Sequence, residues 1–291
     1  MVDIYIDKRR MEEIVKTALK EDIGPKDVTT SATVPRGLNI KAHIISKSEG
    51  IICGLPVCEK AFSVLDENTR FKPQVKDGDL IHEGKVVCYL EGEAVHILSG
   101  ERVALNFLAR LSGIATKTNA FVKKVSALPV KVMDTRKTTP GLRYLERYAV
   151  RVGGGYNHRS GLWDQVLIKD NHLKAISCKL SAISQMLKEA RKKVQKNIKI
   201  EIEVNNLKEF EDALKGKPDI IMLDNMSTED VKKAVGIRNK VGKYPLLEVS
   251  GNINLENVLD YAGSKADMIS IGSLTHSMDS LDMSLEVDAK I

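Results

Sequence analysis

Two rhythms of apolar and polar positions divide the chain. A helical stripe at Met11, Ile14, Val15, Ala18 and Leu19 comes first, and alternating stretches follow it over residues 41–46, 50–54, 85–90 and 93–98. Gly-Leu-Pro, Asp-Gly-Asp and Glu-Gly punctuate them, so this half predicts an α+β domain with an antiparallel sheet. Val103, Leu105, Leu108, Leu111 and Ile114 then restore a helical spacing between residues 101 and 125. From about Pro129 the texture changes. Short, almost purely apolar runs recur at 130–133, 166–168, 198–204, 220–223, 246–249 and 268–271, and helical patterns at 181–195, 207–215, 228–240 and 255–261 separate most of them. Strands alternating with helices predict parallel βαβ units. Steps of 21 residues from Glu203 to Asp224, 26 to Ser250 and 22 to Gly272 each fit one compact unit, which favours a barrel over an open doubly wound sheet. No Gly-x-Gly-x-x-Gly opens a helix, and Gly153–Gly155 follows no clear strand, so it reads as a flexible turn.

Composition narrows the class. The chain has 291 residues, 43% hydrophobic and 29% charged, which is globular and excludes wholesale disorder. Only 4% are aromatic, so the core rests on Ile, Val, Leu, Ala and Met. No apolar run approaches the roughly 18–20 residues of a membrane span. The first 20 residues mix acids and bases without an apolar leader, so a cytoplasmic protein is expected. Cys53, Cys58, Cys88 and Cys178 form no Cys-x-x-Cys pair and have no His at zinc-ligand spacing, so they read as reduced, packed thiols.

The net charge of +6 is concentrated. Between Asp134 and His172 seven Arg and Lys face four acids, with few aromatics and frequent glycine. That concentration suits a pocket for a small polyanion; a solvated basic face is the plain alternative. A nucleic-acid surface would need aromatic stacking residues or a reading helix among its cations, and neither is visible.

The strand ends carry the chemistry, because βα loops converge at the carboxyl end of a barrel. In order they are Asp134-Thr135-Arg136-Lys137, Lys169-Asp170-Asn171-His172, Glu203, Asp224-Asn225, Ser250-Gly251-Asn252 and Gly272-Ser273. Singly, each acid reads as a helix cap; six successive strands ending in cations, cations, acid, acid, small-polar and small-polar do not. Ser250-Gly251 and Gly272-Ser273 suit a phosphate. Glu203 and Asp224 offer oxygens to ribose hydroxyls or hydrated Mg²⁺. Arg136, Lys137, His158, Arg159 and Lys169 surround a carboxylated anion. Together they point to phosphoribosyl transfer.

The block Asp134-Thr-Arg-Lys-Thr-Thr-Pro-Gly-Leu-Arg143, with Tyr148-Ala-Val-Arg-Val-Gly-Gly-Gly155, Asn157-His-Arg159 and Leu167-Ile-Lys-Asp-Asn-His172, closely resembles the quinolinate phosphoribosyltransferase family. The likeness extends from Leu19-Lys-Glu-Asp-Ile-Gly and Asp27-Val-Thr-Thr30 through Ser99-Gly-Glu-Arg-Val-Ala-Leu-Asn106 to Glu248-Val-Ser-Gly251 and Thr275-His276. It implies an α/β fold: an incomplete α/β barrel of parallel strands over 113–275 and a smaller N-terminal α+β sandwich domain over 1–112, with the tail 276–291 packing back on it. It implies conversion of quinolinate and phosphoribosyl pyrophosphate (PRPP) to nicotinate mononucleotide, pyrophosphate and CO2 with Mg²⁺, in NAD biosynthesis. Arg136, His158, Arg159 and Lys169 would take the quinolinate carboxylates, with Thr135 beside them and Lys137 by the pyrophosphate. Glu203 and Asp224 would hold the ribose hydroxyls and, through water and substrate, the metal. Ser250, Gly251, Asn252, Ile271, Gly272 and Ser273 would take the 5′-phosphate. Lys137, Glu203 and Asp224 would be catalytic. The family is a homodimer or an assembly of dimers, and Arg102 matches the residue that reaches the neighbouring subunit's site. The chain departs from the family at Asn252, where Ser-Gly-Gly is common. A paralogue of molybdate-transport operons shares the pattern, but another base would not need two carboxylate clamps.

Overall fold

The computed structural model describes residues 6–176 and 182–290. Cys178 and Ser181, the first residue of one expected helix, lie outside the described residues. In chain order the elements are α1 (Lys8–Ile23), α2 (Val28–Thr33), β1 (Asn39–Ser46), β2 (Gly50–Ile51), α3 (Leu55–Leu65), β3 (Arg70–Pro73), β4 (Leu80–Ile81), β5 (Val86–Glu93) and α4 (Ala94–Lys124). There follow β6 (Lys131–Met133), α5 (Arg143–Val152), β7 (Gln165–Ile168), α6 (Asp170–Ala175), α7 (Ile183–Lys193), β8 (Lys199–Val204) and α8 (Leu207–Lys215). The last are β9 (Ile220–Asp224), α9 (Thr228–Val241), β10 (Leu246–Ser250), α10 (Val258–Ala262), β11 (Met268–Ser270), α11 (Ser273–His276) and β12 (Met283–Lys290). Two compact units result. One gathers Met1–Asn119, Thr138–Gly154 and Leu274–Ile291, and the other Ala120–Lys137 and Gly155–Ser273.

The first unit holds an antiparallel sheet in the order β12-β1-β5-β3. Along β1 exposed and covered positions alternate at first, with Ile40, Ala42 and Ile44 inward, as a sheet with one solvated face requires. Met11, Val15 and Leu19 recur every four residues on α1 and are buried, against α3 among others. One expectation fails. The apolar run at 93–98 reads as a strand, yet α4 starts at Ala94. Ala94 and Ile97 are buried, and Gly100 sits against Phe62 and Leu65, a spacing of three that only a helix delivers to one face. That packing overrides the strand preference of Val95 and Ile97. Cys53, Cys58 and Cys88 are free and buried in this unit; burial pushes the Cys53 thiol up, and the Cys88 thiol beside it does the same for Cys58.

The second unit is a six-stranded sheet, order β6-β11-β10-β9-β8-β7, with every pairing parallel. Its strands are covered on both faces, as crossover helices dictate: all of β11 and every residue of β8 after Lys199 are buried. β6 and β7 form the two edges and do not pair. Beside β6 lies the segment around Tyr156, bridged in parallel to Met133 with Tyr156 N–H donating to Val132 O. Three residues on, Arg159 donates to the carbonyl of Gln165, where β7 begins. The segment thus occupies the gap that leaves the barrel incomplete. No helix among the described residues is long and apolar enough to cross a membrane.

Candidate active site

Parallel strands present all their carboxyl ends on one edge, and the expected residues of the second unit gather there. Arg136 and Lys137 follow β6, Lys169 follows β7, Glu203 is the penultimate residue of β8, and Asp224 and Ser250 end β9 and β10 in direct register. Thr135 accepts the backbone N–H of Lys137 at 3.1 Å, which folds the turn after β6 and leaves the Lys137 side chain exposed. Lys169 Nζ meets Glu203 Oε2 at 2.9 Å, joining a cation of one strand end to an acid of the next. His172 Nδ1 accepts the N–H of Lys169 at 3.0 Å and fixes the backbone there.

His158 and Arg159 come from the gap-filling segment, which Asp134 holds. That carboxylate is fully buried and accepts His158 N–H at 2.7 Å and Asn157 Nδ2 at 2.6 Å. His158 Nε2 then lies 3.2 Å from Glu201 on β8 and 3.4 Å from Glu248 on β10. In a flat sheet with strands about 4.8 Å apart, a residue beyond the β6 edge would be five strand positions from β8. The contacts therefore require the sheet to curl, which brings the segment beside β6 round to β8 and β10. Burial alone would lower the His158 pKa, but the two carboxylates push it to about 10. The N–H of Arg159 points the other way, donating to Nδ1 at 2.8 Å. In either protonation state Nε2 carries a proton. Burial and the adjacent Glu248 carboxylate raise Glu201, while burial and then the charge of Arg136 beside it lower Arg159. The clamp is thus two neighbouring guanidiniums and an imidazole above an acidic floor, with Lys169 at its side.

The small-polar ends form a tight loop. Gly251 has φ 101° and Asn252 φ 51°, both left-handed. A side chain at Gly251 would collide with Asn225, whose own N–H donates to Ser250 O at 2.8 Å. Asn tolerates the left-handed region better than most residues, and Asn252 Nδ2 donates to Asn225 Oδ1 at 3.2 Å. Ile271 is buried, its N–H on Met133 O at 3.0 Å, and sets Gly272 and Ser273 beyond β11. Arg102 belongs to the other unit: it lies on α4 with 63% of its side chain exposed. The sequence reading named Asp134 at its strand end without giving it a role, and it missed Gln165, Glu201 and Glu248. The available signal was an acid inside an otherwise apolar strand, Ile-Glu-Ile-Glu-Val and Leu-Leu-Glu-Val.

Comparison with known proteins places the chain in a family. The family model for the quinolinate phosphoribosyl transferase N-terminal domain matches residues 27–112, and that for the C-terminal domain matches 114–286. A probable nicotinate-nucleotide pyrophosphorylase [carboxylating] of Bacillus subtilis is 42% identical over 96% of this chain and 93% of its own. A quinolinate phosphoribosyltransferase [decarboxylating] of Nicotiana tabacum is 38% identical over 97% of this chain and 83% of its own. The solved nicotinate-nucleotide pyrophosphorylase of Francisella tularensis superposes with a TM-score of 0.90 at 37% identity, covering 98% of each chain. The chain belongs to the quinolinate phosphoribosyltransferase family.

Proposed function

We propose that this protein transfers the phosphoribosyl group of PRPP to quinolinate and releases pyrophosphate and CO2, leaving nicotinate mononucleotide for NAD synthesis. The observation that carries the reading is the juxtaposition of a cationic clamp with two carboxylates at one strand edge, in a chain aligned with the family over nearly its whole length. Arg136, His158, Arg159 and Lys169 bind the two carboxylates of quinolinate, and Lys137 stands by the pyrophosphate. Ser250, Gly251, Asn252, Ile271, Gly272 and Ser273 receive the 5′-phosphate, whose approach the glycines permit. Glu203 and Asp224 hold the ribose hydroxyls and, as hard oxygen donors, suit Mg²⁺ reached through water and substrate. When bound, Mg²⁺ neutralises charge on the pyrophosphate.

Positioning and electrostatics do most of the work. As the C1′–O bond to pyrophosphate breaks, positive charge grows on the ribose, and the carboxylates of Glu203 and Asp224 stabilise it. The quinolinate nitrogen supplies the electron pair for the new C1′–N bond. The C–CO2⁻ bond beside the now cationic ring nitrogen then breaks, its electron pair stays on carbon as an ylide stabilised by the adjacent positive charge, CO2 departs, and a proton takes its place on carbon. The clamp holds the carboxylate that stays. The active assembly contains a second copy of the chain, and Arg102 reaches across to it; its exposure on α4 supports this.

The test is to incubate protein, Mg²⁺ and PRPP with quinolinate or with nicotinate, following CO2 and pyridine nucleotide. Equal amounts of CO2 and nucleotide from quinolinate alone are expected. Nucleotide from nicotinate without turnover of quinolinate would refute the reading.

A further inference from the structure

The acidic floor has no part in the transfer as described above. Glu201 precedes Glu203 by two residues on β8, and Glu248 precedes Ser250 by two on β10. The period-two pleat therefore turns each toward the same side as the mouth residue that follows it, one layer deeper. Both residues are 0% exposed. Gln165 Nε2 donates to Glu201 Oε2, and His158 Nε2 contacts both carboxylates. Glu201 Oε1 and both oxygens of Glu248 have no hydrogen-bond partner despite their burial, so the 3.4 Å approach of His158 Nε2 to Glu248 Oε2 is an ion-pair contact. Buried carboxylates are costly unless a charge pairs with them, and the imidazole of His158 is what both of these face.

One His and two Glu with ligand atoms within 4.8 Å of one another have the composition of a metal site. The ring argues otherwise. Nδ1 accepts the Arg159 N–H at 2.8 Å and so presents a lone pair. A neutral imidazole has only one other nitrogen for its proton, so Nε2 bears it and cannot also ligate a metal. The carboxylates therefore face an N–H.

We propose that Glu201 and Glu248 are positioning residues of the quinolinate clamp: they anchor the Nε2–H of His158 and supply the counter-charge that lets Arg136 and Arg159 stand side by side. The inference rests on the reading of His158 and Arg159 as binders of quinolinate. Without the floor, the imidazole loses its orientation and the two guanidiniums repel one another. The dicarboxylate then loses its fit, while the PRPP side, built on Glu203, Asp224 and the Gly251 loop, is untouched.

The experiment measures KM for quinolinate, KM for PRPP and kcat in E201Q, E248Q, E248A and wild type, with circular dichroism and thermal melts as the fold control. The wild-type assay stands apart: no turnover of quinolinate there defeats the functional reading, whatever the variants do. Given wild-type activity, E248A should raise KM for quinolinate by on the order of tenfold and leave KM for PRPP within about twofold. E248Q, whose amide oxygen keeps a partial negative charge facing Nε2–H, should recover part of that loss. Folded variants with an unchanged KM for quinolinate, or with both KM values rising together, would overturn the proposal. So would one equivalent of metal in the purified wild-type protein that E248Q fails to retain.

Discussion

At the scale of single residues, charge balance separates two kinds of group at the strand ends. Lys137 is exposed beyond β6, and Glu203 is buried near the end of β8 with Lys169 Nζ as its ion-pair partner; neither is an apolar side chain of the core. Lys137→Ala and Glu203→Ala should therefore cut turnover by roughly two to four orders of magnitude with unchanged melting, measured by initial rates and differential scanning calorimetry. A wild-type kcat in either would remove it from the catalytic set. Arg159 is different, because it is buried and its guanidinium also spans to Gln165 O. Arg159→Ala should raise KM for quinolinate by about 10–100-fold; a rise confined to KM for PRPP would mean the two subsites are exchanged. Lys137 and Glu203 stood out in sequence as polar residues at or just beyond the ends of apolar runs, and Arg159 as part of the cationic stretch between Asp134 and His172. Glu201 and Glu248 were not, for an acid in mid-strand is indistinguishable from an outward-facing one until the sheet is known to be covered on both faces.

At the scale of elements, α3 lacks a capping side chain of its own. Its first N–H groups are met instead from a distant segment: Asp77 Oδ2 accepts Gly54 N–H at 2.8 Å and Oδ1 accepts Leu55 N–H at 3.0 Å. The same carboxylate accepts the Tyr148 hydroxyl of α5 at 2.7 Å. Burial holds its pKa above the ordinary value in spite of three donors. Asp77→Ala leaves all three without their partner, and at roughly 1–3 kcal/mol for each buried group, moderated by partial exposure, the loss should be about 2–4 kcal/mol. Tyr148→Phe removes a single bond and should cost about 1 kcal/mol. Urea denaturation of both variants checks the order; equal losses would show that the hydroxyl, not the cap, carries the interaction. No local pattern announces such a cap, because donor and acceptor are 22 and 23 residues apart. The parallel strands, by contrast, were legible almost to the residue, since each is an apolar run bounded by polar positions. The edge strands β3 and β12 were not, for their exposed faces carry charge, as in Arg70, Lys72, Glu286 and Asp288.

At the scale of the whole molecule, the units are not consecutive stretches of chain. The chain passes from one to the other after Asn119, Lys137, Gly154 and Ser273. The two family models meet near residue 113, and a cut there would sever the first unit from two of its own parts. One is α5, whose Glu146 is fully buried and pairs with Arg110 at 2.6 Å, while the same Arg110 also donates to Thr139. The other is β12, which pairs with β1 from Ile40–Lys290 to Ser46–Met283 and covers its outer edge. A fragment of residues 1–119 keeps α1 to α3 and β1 to β5 but takes Glu146 and Thr139 from Arg110 and the Tyr148 hydroxyl from Asp77, and it leaves the N–H and C=O groups of β1 open along that edge. Breaking a buried ion pair alone costs about 3–5 kcal/mol, a large share of the roughly 5–15 kcal/mol that holds a domain together. The fragment should therefore show no cooperative melt and should self-associate through the bared strand, while the same fragment with 138–154 and 274–291 rejoined through flexible linkers should melt cooperatively. Circular dichroism with light scattering decides it: a sharp, monomeric transition in 1–119 alone would mean that the sheet stands without its returning strand.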